Sequence, residues 1–445
     1  MATTYLNRTP SSEGNRKKWT FATWFKMSNN TSGAFFTAGA SGQDEMTIRI
    51  QESGGVQSID WQLYSVSSSA TIGRLITGRE FRDSAAWYHL VCRYDSTNST
   101  AGDRMRMYIN GNEELSFSTD TNPTLNYDSM VNNTVIHNIG RQSWNNSGYF
   151  DGYLAQTILA DGQSYAPTVF GSTNANGVWV PNASPSVTYG TNGFKIDYAG
   201  TGTSADANGF GADSSGQTNH YTSNNLGTTP NTKDTPHNNF CTLNVADTQS
   251  VALSKGACDF NSDGGADEGV RGTIGVVAGK WYYECKITGS AGLSAGNVGY
   301  AQPTFNLKNN PRGGQGMFVN GSGSVNLYNF SSSATTLDGS SGFGQNDIMG
   351  VALNLTDNQI TIYKNGTQVG STQTIASGLT STGEFFLPVL TDDGGVNDVV
   401  GSFNFGNPTF TIASGNADAN GYGSFEYAVP SGYYALCTKN LAQYG

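Results

Sequence analysis

The chain reads as an all-β protein: two antiparallel, jelly-roll-like β-sandwich domains joined by an irregular Gly/Asn/Thr-rich segment. Three observations carry that expectation. Glycine fills 57 of 445 positions, nearly twice its ordinary share of about 7%. Charged residues are only 13%, and Asn, Ser and Thr are abundant, a composition suited to short strands and tight turns. Apolar and polar residues alternate with a period of two in many short stretches, and Asn-Gly pairs stand between such stretches at Asn110-Gly111 and Asn365-Gly366.

In KKWTFATWFKM the side chains of Trp19, Phe21 and Thr23 fall on one face, and those of Thr20, Ala22 and Trp24 on the other. WYHLVCRYD, from Trp87 to Asp95, and RMRMYINGNEEL, from Arg104 to Leu115, read the same way. In the second of these Asn110-Gly111 supplies a hairpin, because both central residues of a tight I′ turn need positive φ. His137 to Gly162 adds two strands around a loop carrying Trp144. The first sandwich is placed at residues 1–188. From 189 to 250 the pattern dissolves into Gly, Thr, Asn, Ser and Asp, which cannot bury enough apolar surface to fold alone and must link or drape over neighbours. Residues 251–445 form the second strand-rich block, with GKWYYECKITG, GNVGYA, DIMGVALNLTDNQITIYKNG and VVGSFNFG, and a C-terminal extension.

A net charge of -11 argues against a nucleic-acid surface, which needs clustered Lys and Arg; only Arg16-Lys17-Lys18 makes a basic run. No stretch approaches the roughly 20 apolar residues that span a bilayer, so no membrane insertion is expected. Met1 is followed by polar residues instead of a signal-peptide core. The expectation is synthesis in the cytoplasm, with export only as part of a larger particle. Cys92, Cys241, Cys258, Cys285 and Cys437 are odd in number and unclustered, so they read as small buried core residues, not a disulfide framework.

WTFATWFK, WYHLVCRYD, MYINGN and FDGYLAQTILADG, in that order, resemble a laminin-G or concanavalin-A-like lectin domain over about Tyr5 to Phe170. GKWYYECKI, GNVGYA, DIMGVALNLTDNQITIYKNG, FFLPVL and GSFNFG resemble a SPRY (B30.2-like) domain over about Val251 to Asn407. With YGTNGFKIDYA, DTPHNNF and YYALCTKNL added, nearly the whole chain resembles a group of bacteriophage virion structural or tail-fibre-like proteins. That resemblance implies a virion location, other virion proteins as partners and a homo-oligomer, with a trimer favoured. It transfers no catalytic residue, and fold alone does not set function.

Retaining glycanases of the concanavalin-like architecture resemble one another in an E-x-D-x-(x)-E strand, which sets two carboxylates on one face. That run is absent, and the adjacent acids Asp44-Glu45 and Glu113-Glu114 point to opposite faces of a strand. Gly292-Leu293-Ser294-Ala295-Gly296 matches a nucleophile-elbow string, but GNVGYA after it reads as a strand where a helix is required. The four histidines have no metal-ligand spacing, and His89 reads as structural.

Glycan binding asks for an exposed aromatic ring flanked by amides, and Trp144 with Asn145 and Asn146 has that composition; packing of Trp144 under its loop or into a subunit contact is the competing reading. For the SPRY-like block, the family's use of loops at one end points to the loop between Tyr328 and Phe343. Asp259, Asn261, Asp263, Gly264 and Asp267 follow the spacing of a calcium loop, but place twelve is Val270 where a bidentate Glu is needed. A turn rich in Asp, Asn and Gly between strands explains the same residues. No resident cofactor is expected, calcium aside. The reading is thus a non-enzymatic virion component, a tail fibre or head appendage binding a host-surface glycan. Its alternatives are a capsid decoration or cement protein without a glycan ligand, and a polysaccharide depolymerase.

Overall fold

The computed structural model describes residues 3–227, 231–262, 268–293, 296–308, 316–321, 323–375, 383–392 and 399–445. The chain divides into two compact units, Met1–Asn231 and Thr232–Gly445. In the first, an eight-stranded sheet runs in the order Phe117–Thr121, Ala70–Thr77, Val56–Ser65, Glu45–Ser53, Gly33–Gly39, His137–Ile139, Tyr5–Arg8, Thr222–Asn224. A six-stranded sheet runs Phe194–Ile196, Gly152–Asp161, Lys18–Met27, Tyr88–Asp95, Met105–Ile109, Asn112–Glu113.

The sheets meet through aromatic rings. Phe21 stacks on Phe36 with centroids 4.9 Å apart, Phe25 meets Phe35 at 4.6 Å, and Trp19 meets Trp61 at 5.6 Å. Each such fully buried ring contributes about 1.5–3 kcal/mol from apolar burial. The alternation in KWTFATWFKM is real, yet both faces of that strand are buried. The second face packs Ala22 with Val91, Tyr108, Ile158 and Phe170, while Trp24 stacks on His89, whose Nδ1 accepts a hydrogen bond from Trp179 Nε1. The short hairpin of Gly171–Thr173 and Trp179–Pro181 delivers that indole. A Cβ on Gly111 or Gly171 would lie within 2.7 Å of the Trp179 ring, so glycine at both positions makes room for it.

Both Asn-Gly pairs close two-residue turns. Ile109 pairs with Asn112 around Asn110 (φ 49°) and Gly111 (φ 79°), and Lys364 pairs with Thr367 around Asn365 (φ 50°) and Gly366 (φ 79°). All five cysteines are buried and outside any disulfide.

The second unit also pairs two antiparallel sheets. One runs Leu243–Gln249, Glu268–Gly272, Leu387–Asp392, Gly296–Ala301, Gly316–Asn320, Val325–Asn329, Thr335–Asp338. The other runs Ala252–Ser254, Asp259–Asn261, Val400–Asn404, Lys280–Ile287, Ile348–Asn354, Gln359–Lys364, Thr367–Gln368. Trp281, Tyr283, Tyr300, Phe403 and Phe405 belong to the core between them. Gly296 starts a strand, as GNVGYA requires, while Ser294 lies outside the described residues. The C-terminal extension adds a parallel pairing of Tyr434–Ala435 with Trp281–Tyr282 and a short helix, Thr438–Tyr444. No helix among the described residues is long and apolar enough to cross a membrane.

The segment 189–250 is shared between the units. Phe194–Ile196 and Thr222–Asn224 join the sheets of the first, and Leu243–Gln249 joins the second. Phe194, Ile196 and Tyr221 enter the first core and Leu243 the second, and buried carboxylates tie down the rest of this apolar-poor chain. Asp161 accepts hydrogen bonds from Asn15 N at 2.7 Å, Asn132 Nδ2 at 2.9 Å and Asn192 N at 3.0 Å. Asp213 takes Lys195 N at 2.9 Å and Asn219 N at 2.8 Å. Replacing Asp161 by Ala strands two buried donors, Asn132 Nδ2 and Asn192 N, each costing about 1–3 kcal/mol, and removes the partner of the part-buried Asn15 N. Asp161→Ala is expected to lose about 3 kcal/mol or more in urea unfolding, and Asp161→Asn about half of that.

Candidate functional site

Strand alternation decides what the outer face of the eight-stranded sheet carries. Met46, Ile48, Ile50, Ile59, Trp61 and Leu63 enter the core, so Glu45, Thr47, Arg49, Gln51, Asp60, Gln62 and Tyr64 face outward. Register places Glu45 opposite Tyr64, Thr47 opposite Gln62, Arg49 opposite Asp60, and Arg74 opposite Gln62.

Asp60 is fully buried and clasped by two arginines. Arg49 donates to Asp60 from Nε at 2.9 Å and Nη2 at 2.7 Å, and Arg74 donates from Nε and Nη2 at 2.9 Å each. Gln51 Oε1 accepts from both Nη2 groups, at 3.0 and 3.3 Å. Thr47 Oγ1 and Glu45 Oε2 are buried without a hydrogen-bond partner. Burial pushes the Glu45 carboxyl up to about 7, against the opposing pull of Arg49.

The Trp144 loop is mounted on this face. Thr37, cross-strand neighbour of Thr47 and of Asn138, donates its hydroxyl to Arg141 O at 3.0 Å and lies 2.5 Å from Ser143 Oγ. Asn138 Nδ2 donates to Ser143 Oγ at 2.7 Å, and Arg141 Nη2 donates to Asn138 Oδ1 at 3.0 Å. The Arg141 guanidinium also lies 3.7 Å over the Tyr5 ring, a cation–π contact that holds the loop's first residue. Gln142 N donates to Ser147 O at 3.0 Å, closing the loop. At its tip Asn146 adopts φ 53°, Asn145 Oδ1 accepts from Ser147 N at 3.1 Å, and Trp144 is 47% exposed. Trp144, Asn145 and Asn146 are therefore together and exposed, above a buried polar base.

The acids that could suggest hydrolysis have other partners. Asp44 Oδ1 accepts from Val66 N at 2.8 Å, Glu113 meets Arg106 at 3.3 Å, and Glu114 meets Arg79 at 2.9 Å. The backbones of Glu45 and Asp60 stand about 14 Å apart along the face, since four residues of strand at about 3.4 Å each separate them, and the Asp60 carboxylate is taken up by Arg49 and Arg74. His89 and His137 are buried and neutral, held down by burial to about 3 and about 4.

In the second unit, Asp259 and Asn261 lie on a strand whose central Phe260 is in the core. Asp259 is engaged by Lys255 Nζ at 2.8 Å and by the Thr409 hydroxyl. Asp263 and Asp267 lie outside the described residues. Among the described residues no group of three or more His, Cys, Asp or Glu is placed to hold a metal ion. The loop from Tyr328 to Phe343 contains the edge strand Thr335–Asp338 and ends in the core at Phe343.

Sequence reasoning missed the outer row of Glu45, Thr47, Arg49, Asp60 and Arg74. A usable signal was present: EMTIRIQES and VQSIDWQLYS alternate polar residues, among them Arg49 and Asp60, with apolar ones.

Glu45 yields a signed pH dependence. Its ionised form is penalised in the fold, so its contribution to stability falls as pH rises from about 4.5 to about 7. Glu45→Gln is expected to melt above the parent at pH 8 and together with it at pH 4, read by circular dichroism.

Residues 2–163 match the family model described as the concanavalin A-like lectin/glucanases superfamily, and residues 280–407 match that of the SPRY domain. No curated protein is detectably similar to the chain. Among solved structures, a putative carbohydrate binding protein from Bacteroides ovatus is 16% identical, over 50% of this chain and 56% of its own, with a TM-score of 0.33. The SPRY domain of human HERC1 is 19% identical, over 36% of this chain and 96% of its own, with a TM-score of 0.29. A heptameric SAP-like pentraxin from Limulus polyphemus is 15% identical, over 42% and 88%, with a TM-score of 0.28. Two domain types are thus found in one chain, one of the concanavalin A-like lectin/glucanases type and one SPRY.

Proposed function

We propose that the protein is a non-enzymatic glycan-binding component of a bacteriophage particle, carried on a tail fibre or head appendage and directed at a host-surface glycan. One observation supports the binding part above others: an exposed Trp144 ring, flanked by Asn145 and Asn146, sits on a loop whose base is tied into a polar sheet face. A flat ring takes the apolar face of a sugar, and fixed amides and hydroxyls take its hydroxyl groups. The virion part rests on the resemblance of motifs distributed along the chain, from FDGYLAQTILADG through YGTNGFKIDYA to YYALCTKNL. Other virion proteins are its expected neighbours and a trimer its expected assembly.

A glycan array of bacterial surface polysaccharides tests the binding. Trp144→Ala is expected to abolish the signal while shifting the melting temperature by no more than about 1 °C, because an exposed side chain contributes little to stability. Absence of any signal for the parent protein overturns the reading, and absence of the chain from purified particles overturns the virion part. Asp259 and Asn261 belong to a strand, and Asp259 is already held by Lys255 and Thr409, which speaks against a calcium loop. Melting curves in chelator and in millimolar calcium are expected to superimpose; a rise in calcium would assign Asp259, Asn261, Asp263 and Asp267 as ligands.

A further inference from the structure

Asp60 needs one guanidinium to balance its charge, and it has two. Arg49 and Arg74 both turn the Nε/Nη2 edge toward its carboxylate, and Gln51 Oε1 braces both Nη2 groups. Their side chains are only 21% and 26% exposed. Holding a second cation this deeply carries a desolvation cost that the single carboxylate does not offset. The Arg49–Asp60–Arg74 trio therefore carries one surplus positive charge, with Glu45 as a more distant acid on the same face, in a chain whose net charge is -11.

The donors are also directed. None of the described hydrogen bonds uses Nη1 of Arg49 or Nη1 of Arg74. Each Nη1 lies on the edge turned away from Asp60, with orientation set by the bonds on the other edge. Two planar guanidiniums fixed by one buried acid are a preorganised receptor for a planar anion.

The row reaches the Trp144 loop. From the strand of Arg74 to the strand of Asn138 there are four inter-strand steps, roughly 19 Å at about 4.8 Å each. That length takes an oligosaccharide and not one sugar ring.

We propose that Arg49 and Arg74, held by Asp60, form an acidic-sugar subsite that receives the carboxylate of a hexuronate unit in the glycan bound beside Trp144. This deepens the glycan-binding reading and rests on it. The ligand is thereby narrowed to a uronate-containing polysaccharide.

The test compares a short oligogalacturonate with its carboxyl-reduced counterpart by calorimetry at low and high salt. The acidic form is expected to bind about tenfold tighter or better, equivalent to about 1.4 kcal/mol, with the advantage shrinking in 0.5 M sodium chloride. The double variant Arg49→Lys/Arg74→Lys keeps a cation against Asp60 and removes both forks, so it is expected to fold, checked by its melting curve, and to bind the two forms within about threefold of each other. Equal affinity of the parent protein for both forms overturns the subsite and leaves glycan binding standing. An advantage that survives in a folded double variant also overturns it. Failure to bind either form, alongside a silent glycan array, removes the glycan reading and the subsite with it.

Discussion

Buried carboxylates that gather backbone N–H groups hold together a chain with too little apolar surface in its connections. Asp161 and Asp213 do this in the first unit. In the second, Glu284 accepts from Tyr427 N at 2.9 Å, Glu426 N at 3.0 Å and Asn404 Nδ2 at 3.0 Å, and Asp418 accepts from Asn420 N, Tyr422 N and Ala435 N. Burial pushes the Glu284 carboxyl upward and those donors oppose it. A carboxylate offers about four acceptor sites in one small volume, so one residue can satisfy several peptide groups that hairpins would otherwise have to pair. Segments without alternation thereby become ordered parts of a sandwich.

The same economy explains what was legible in the sequence. Strands with a period of two, both Asn-Gly turns, the buried cysteines and the strand after Gly296 followed from local chemistry, because each depends on residues that are neighbours in the chain. The ordering of 189–250 did not, since Asp161 reaches Asn192 and Asp213 reaches Lys195 only after the sheets exist. A count of apolar residues there predicts a linker; the hydrogen bonds that order it are invisible to that count.

The candidate site divides along the same line. Trp144, Asn145 and Asn146 stood out because an aromatic among amides is a local signal. Arg49, Asp60 and Arg74 come from three different strands, and only register brings them together. No local pattern in the sequence singles them out; the burial of Asp60 between two arginines does. The adjacent acids Asp44-Glu45 do diverge, as alternation demands: Asp44 ties a neighbouring turn, and Glu45 joins the outward row.

Trp179 gives the two outer faces of the first unit different histories. Its indole, seated between Gly111 and Gly171, seals one sheet with the protein's own hairpin, so residues beneath it answer to folding. On the proposed reading, the opposite row from Glu45 to Arg74 answers to the bound glycan. On that reading a change of ligand preference falls on the outward positions of a few strands and the tip of one loop, provided the buried Asp60 keeps its two arginines.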